Sequence, residues 1–383
     1  MSRRPAAPLA LALTLSALAA AGPAATAQPG PPGPPGPPFP APALSSGMGD
    51  AELAGALGAY FGALHDERDF AGAALVARGG TPVFLGAWGM ASLRWGVPNR
   101  VSTRFDLGSI DKSFTRVAIG SLLAAGELSL DSTIAQVLPD YPNQGVAGRV
   151  TVGQLLDHTS GIPDIFGPDF FDTSKLLYRE ARDFFPLFAS KELEFEPGTE
   201  ERYSNSGYLV LGAMIEQLSG TSYPEWVARH VFEPAGMTGA GFFARNEPEP
   251  DVAMGHTHWG PAGPEPDGPW LENLGLLPVR GNAAGSAFAT VRDVLAYERA
   301  LRSGRLLPPG YTSWFFGGPV DPSADAGQAR GAAIGIAGGA PGVNACLEAS
   351  SDWQVVVLSN QDPPGAELAA QAVFRALAGA AAG

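Results

Sequence analysis

Lysine is nearly missing from this chain: three lysines stand against twenty-one arginines in 383 residues. Positive charge is thus carried almost everywhere by a group that never loses its proton, whereas a buried lysine can lose it and act as a base. Cysteine is scarcer still. Cys346 is the single one, which excludes an internal disulfide, and its apolar setting (Val343 to Leu347) reads as that of a small buried hydrophobe. The formal net charge is −14, and loss of Arg3 and Arg4 with a leader would make it two units more negative. A deficit of basic charge on that scale excludes nucleic acid and an anionic membrane surface as partners. Histidine is also sparse. His256 and His258 have strand spacing, but no third ligand stands in register, so neither a metal nor another cofactor is expected.

A long apolar run is missing everywhere except at the N-terminus. There Arg3 and Arg4 precede the apolar stretch Leu9 to Ala21 and the small residues Ala25-Thr26-Ala27. That order is expected of an export leader over residues 1–27, and the apolar run is short for a membrane span. Residues 28–48 follow as a Pro/Gly-rich linker built around Gly30 to Pro38, too short for a collagen helix and suited to a semi-rigid spacer. Residues 49–383 are expected to form the folded body, exported to the periplasm or the medium without stable membrane insertion once the leader is removed.

Within that body, Leu53, Leu57, Tyr60, Phe61 and Leu64 recur at helical spacing. Two apolar runs flank Gly79-Gly80, which predicts a tight hairpin between Gly72 and Gly86. Residues 109–125 read as a helix apolar around most of its circumference, hence central. Short helical phrases and Pro/Gly loops fill residues 130–280, and residues 291–301 form another amphipathic helix. Strand patterns return at 333–336, 342–347 and 353–359, and a helix closes the chain at 367–377. Strands at both ends with helices between them predict an α/β (α+β sandwich) fold: one antiparallel sheet drawn from both termini, flanked by helices, with a helical insertion.

One lysine, Lys112, stands three residues after Ser109 at the start of the central helix, where positions i and i+3 share a face. A serine beside a potential base is a minimal set for nucleophilic catalysis. Two further phrases follow in order: Tyr203-Ser204-Asn205 at a helix entrance and Ile336-Ala337-Gly338-Gly339 on a late strand. With the linking phrases Arg104 to Ser109, Leu155 to Ile162, Gly281 to Gly285 with Thr290 to Asp293, and Gly338 to Gly342, this order resembles the serine β-lactamase and penicillin-binding-protein superfamily, class C-like branch. That branch holds class C β-lactamases, D-Ala-D-Ala carboxypeptidases, D-aminopeptidases and esterases. The resemblance implies a β-lactamase/transpeptidase-like fold with Ser109 as nucleophile, Lys112 as base or relay, and Tyr203 as proton shuttle. It also implies Asn205 as a hydrogen-bonding partner of Lys112 and of the substrate, and Gly339 N–H as second oxyanion donor beside that of Ser109.

The third phrase departs from the family. Relatives carry Lys, His or Trp where this chain has Ile336, which cannot bind a substrate carboxylate; Gly338 and Gly339 remain to line the site. An exported serine hydrolase acting on an ester or amide of a small molecule or peptide is therefore the reading, esterase- or peptidase-like rather than a true β-lactamase. A β-lactamase or D-Ala-D-Ala carboxypeptidase, a catalytically silent member that binds peptide or cell wall, and an envelope protein whose stalk is the working part remain as alternatives. His158 reads as a structural loop residue, Asp111 as a first-turn carboxylate facing the helix dipole. Trp259 and Trp270 either wall a cleft or pack their own loop.

Overall fold

The computed structural model describes residues 39–260, 263–321, 323 and 332–382. The expected leader and the Gly-Pro-Pro triplets lie outside the described residues. Among the described residues no helix is long and apolar enough to cross a membrane.

Five strands form the main sheet: β1 (Gly72–Arg78), β2 (Thr81–Trp88), β3 (Ile334–Ala340), β4 (Val343–Ala349) and β5 (Trp353–Ser359). Their order is β3-β4-β5-β1-β2, every neighbouring pair antiparallel. The two termini therefore meet at the β5–β1 pairing, where Gly72 faces Ser359 and Arg78 faces Trp353. The predicted hairpin closes through Gly79 and Gly80, at φ +54° and +81°. Paired left-handed residues match the twist of the two strands they join, and glycine adopts them without a Cβ penalty.

Side chains alternate across the sheet and feed two cores. Ala74, Val76, Cys346, Val355 and Val357 point to a smaller core against α1 (Asp50–Arg68) and the C-terminal helix Gly365–Ala382. Helix α1 buries Leu53, Leu57, Tyr60, Phe61 and Leu64, the five residues its periodicity marks. Phe39, Leu44 and Met48, from the end of the Pro-rich stretch, pack against the same core, because they are the large apolar side chains of that stretch. Ala73, Leu75, Ile336, Leu347, Val356 and Leu358 point to the larger core, which contains α2 (Asp111–Ala125) and the insertion. α3 (Asn205–Ser219) packs there beside α2, buried from Asn205 through Ile215. The insertion also holds two small strand pairs, 256–257 with 271–272 and 259–260 with 263–264; the strand spacing of His256 and His258 fits the first, while the rest reads from the sequence as helical phrases and loops. Each of the other three strands is two residues long and shows no period-2 pattern of its own.

Candidate active site

Gly108–Ile110 is a single 3-10 turn that leads directly into α2. Ser109 therefore sits one tight turn earlier than the α-helix proper, and Lys112 lies in the first α-turn. Both are buried, at 5% and 4% exposure, which fits a functional pair better than a surface lysine. Gly108 takes φ +52°, and its N–H donates to Asp106 Oδ1 at 2.8 Å. Asp106 is in turn paired with the buried Arg245, which donates to Ser286 Oγ at 3.3 Å. The segment 284–287 brackets the same turn: Leu107 N–H donates to Ala287 O at 2.8 Å and Ser286 N–H to Gly108 O at 3.1 Å.

Strand β3 closes the other side. A Cβ on Gly338 would lie 2.1 Å from Leu107 O and 2.6 Å from Ser109 N, so only glycine lets strand and nucleophile turn approach this closely. Gly339 N lies 3.0 Å from the place a Cβ would take on Gly108, the residue just before Ser109. Ile336 is two residues before Gly338, on the same face of the strand, across from Leu347, and 5% exposed in the larger core.

Tyr203 and Asn205 come from the entrance of α3, whose N-cap Ser204 accepts from Gly207 N–H at 3.1 Å. Tyr203 Oη is 2.8 Å from Ser109 Oγ. Lys112 Nζ directs its three donors at Ser109 Oγ (3.2 Å), Asn205 Oδ1 (2.9 Å) and Ala284 O (2.5 Å). The ring faces of Tyr203 and Tyr208 lie 4.8 and 5.4 Å from Nζ. Desolvation outweighs the attraction of Asp164 and Asp111, and holds the Lys112 amine down at about 7. Burial raises the Tyr203 phenol far above its ordinary range, with the bond to Ser109 opposing. In this environment the neutral amine is accessible near neutral pH and the phenolate is not.

The structure brings Ser109, Lys112, Tyr203, Asn205, Gly338 and Gly339 together. His158 adopts φ +58°, accepts from Ser204 N–H through Nδ1 at 3.2 Å, and packs its ring, tilted by 40°, on Tyr203 at 4.6 Å between ring centres. Burial first, then the charge on Lys112, depress its pKa to about 3, so it stays a neutral wall holding Tyr203 in place. His256 has both ring nitrogens engaged, by Leu93 N–H and the Asn360 side chain, while the His258 ring packs on Trp270 at 3.7 Å. Trp270 is thus packing within its own loop. Asp111 stands in the first turn of α2, where a carboxylate faces the helix dipole as the sequence suggests. It is fully buried and accepts from Ala287 N–H at 2.5 Å, and burial raises its pKa well above the usual carboxylate range.

Three partners escape a reading of the sequence. Ala284 supplies a backbone carbonyl, which no side-chain pattern marks. Asp106 lies inside the phrase Arg104 to Ser109 but shows its role only through Gly108. Asp164 stands two residues beyond the phrase Leu155 to Ile162 and accepts from both the backbone and the side-chain amide of Asn205.

Fold and site together define a serine-hydrolase architecture, a nucleophile turn wedged between a five-stranded sheet and a helical lobe. The sequence matches the Beta-lactamase family over residues 57–380, and the chain belongs to that family of serine hydrolases. A penicillin binding protein from Bacillus halodurans superposes with TM-score 0.71 at 31% identity, covering 82% of this chain and 98% of that one. Penicillin-binding protein 4 of Amycolatopsis lactamdurans is 31% identical over 252 residues, 65% of this chain and 64% of that protein. Esterase EstB of Burkholderia gladioli is 34% identical over 216 residues, 52% of this chain and 54% of that protein. The matches span 39% to 64% of the length of the penicillin-binding relatives in Bacillus subtilis and Amycolatopsis lactamdurans.

Proposed function

We propose that the protein is an exported serine hydrolase that forms an acyl-enzyme at Ser109 and acts on a neutral ester or amide. The observation that carries this is the buried Ser109–Lys112–Tyr203 cluster, with Oγ 2.8 Å from the phenol and 3.2 Å from an amine held near neutrality. In acylation Ser109 Oγ bonds to the acyl carbon and its proton passes to the neutral amine of Lys112. The developing oxyanion is met by the N–H groups of Ser109 and Gly339. As the tetrahedral adduct collapses, Tyr203 hands its proton to the departing alcohol or amine, and the phenolate left behind takes up the proton that Lys112 removed from Ser109, which returns the amine to its neutral form. Water then reverses the sequence and releases the acid. Ile336 in place of a cation supports substrates without a carboxylate, and a relative named as an esterase fits the same chemistry.

Intact-mass spectrometry after treatment with a fluorophosphonate tests the nucleophile before any substrate is chosen. One adduct per chain is expected, absent from Ser109→Ala; an unlabelled wild type, or a labelled variant, defeats the assignment. For export, mass spectrometry of material released by producing cells is expected to place the N-terminus at or near Gln28. A soluble internal pool beginning at Met1 contradicts it.

A further inference from the structure

We propose that Asp164 is a positioning residue for the Ser109–Lys112 pair: it fixes the Asn205 amide with its oxygen toward Lys112 and supplies the counter-charge to the ammonium. This rests on the reading of Lys112 as the base.

The bonding order around Asn205 is forced. Asp164 Oδ2 accepts from the Asn205 backbone N–H at 2.6 Å and from Nδ2–H at 3.1 Å. On the opposite side of the amide, Oδ1 accepts from Lys112 Nζ at 2.9 Å. An ionised carboxylate can only accept and an ammonium can only donate, so one orientation of the amide satisfies both neighbours and the flipped one satisfies neither. Asp164 is itself held, because its Oδ1 accepts from Phe166 N–H at 3.1 Å and the adjacent Ile165 is buried in the larger core. The carboxylate, the amide and the amine thus form a chain that ends on the nucleophile.

Other groups around Lys112 do not replace that charge. Tyr203 and Tyr208 face it with their rings, and Ala284 with a carbonyl. His158 is kept neutral by burial and by Lys112. Arg116 bears on His158 and Tyr208 from the next turn of α2. Asp111, on the helix beside Lys112, is fully enclosed and its ionisation is strongly opposed by burial. Asp164 is pushed up by burial as well, but three kinds of N–H contact from Asn205 and Phe166 counter this. Among the attractions that retain the proton on Lys112, that of Asp164 comes first.

The sign follows. A negative charge beside Lys112 favours the ammonium, so removing it frees the amine at lower pH. The experiment is the pH profile of kcat/KM on p-nitrophenyl acetate, repeated as the rate of fluorophosphonate labelling, for the full chain and for Asp164→Asn and Asp164→Glu. Asp164→Asn is expected to move the acid limb down by about one unit and to lower the plateau several-fold, because an amide at 164 can present either end to Asn205. Asp164→Glu, which keeps the charge, is expected to leave the limb near its wild-type position while the plateau falls. An unmoved limb in Asp164→Asn, with the rate reduced uniformly, overturns the proposal and leaves Asp164 a scaffold residue. A limb displaced downward from the wild-type position in Asp164→Glu overturns it too, and this comparison, made against wild type, stands if Asp164→Asn does not fold. Failure of the underlying reading is separately visible: it shows as Lys112→Arg retaining its labelling rate, whatever Asp164 does.

Discussion

Lys112→Arg is expected to lose more than 90% of the acylation rate although it keeps the positive charge. A guanidinium stays protonated, so it cannot take the Ser109 proton. It is also a planar fork, whereas the three acceptors around Nζ are arranged for an ammonium: Ser109 Oγ, Asn205 Oδ1 and Ala284 O. General-base catalysis contributes typically ~100- to 10,000-fold, and a loss in that range is the scale expected. A residual rate above about a tenth, a change under ~1.4 kcal/mol, would show that Lys112 is not the base. The wild-type pH dependence provides a second reading. With the amine held at about 7, the neutral fraction grows as pH rises through neutrality. Acylation should therefore be slow at pH 5, reach half its plateau near pH 7 and level off above pH 8. Tyr203 predicts no such limb, since burial drives its phenol far above that window.

The parts of this site that were legible in the sequence are those whose geometry is local or whose side chains are chemically distinctive. Ser109 and Lys112 lie one helical turn apart, and a lysine among arginines stands out. Helix α1 was equally direct, because the spacing of Leu53, Leu57, Tyr60, Phe61 and Leu64 is itself the buried face. What stayed hidden depends on contacts made across long stretches of chain. Asp164 meets Asn205 over 41 residues, Arg245 meets Asp106 over 139, and the Ala284 carbonyl meets Lys112 over 172. None of these distances has a period, and a carbonyl has no residue type. Asp111 shows the same limit from the other side. The helix dipole alone accounts for a first-turn acid, and only the bonds of Ala283 and Ala287 to α2 reveal how closely this one is held.

Neutral acyl esters are expected to be hydrolysed with a higher kcat/KM than penicillins or peptides ending in D-Ala, and Ile336 is the reason. Its side chain leaves β3 on the face that Gly338 turns to the nucleophile, yet it is buried among apolar neighbours and offers no charge. A substrate carboxylate arriving there would lose water without gaining a partner. Ile336→His or Ile336→Lys should narrow the gap, since a hydrogen bond to a charged group contributes about 1.5–3 kcal/mol, roughly ten- to hundred-fold in the ratio of rates. Histidine is the better first choice. It can enter an apolar site as a neutral ring, whereas a lysine must either bury its charge or give it up. The measurement is a paired comparison of wild type and variant on one neutral ester and one β-lactam, with thermal unfolding to confirm that the variant remains folded. A wild type that already prefers the β-lactam, or a folded variant whose ratio does not move, removes Ile336 as the determinant. The penicillin-binding relatives would then be the better guide to the substrate, with the carboxylate held by a group other than residue 336.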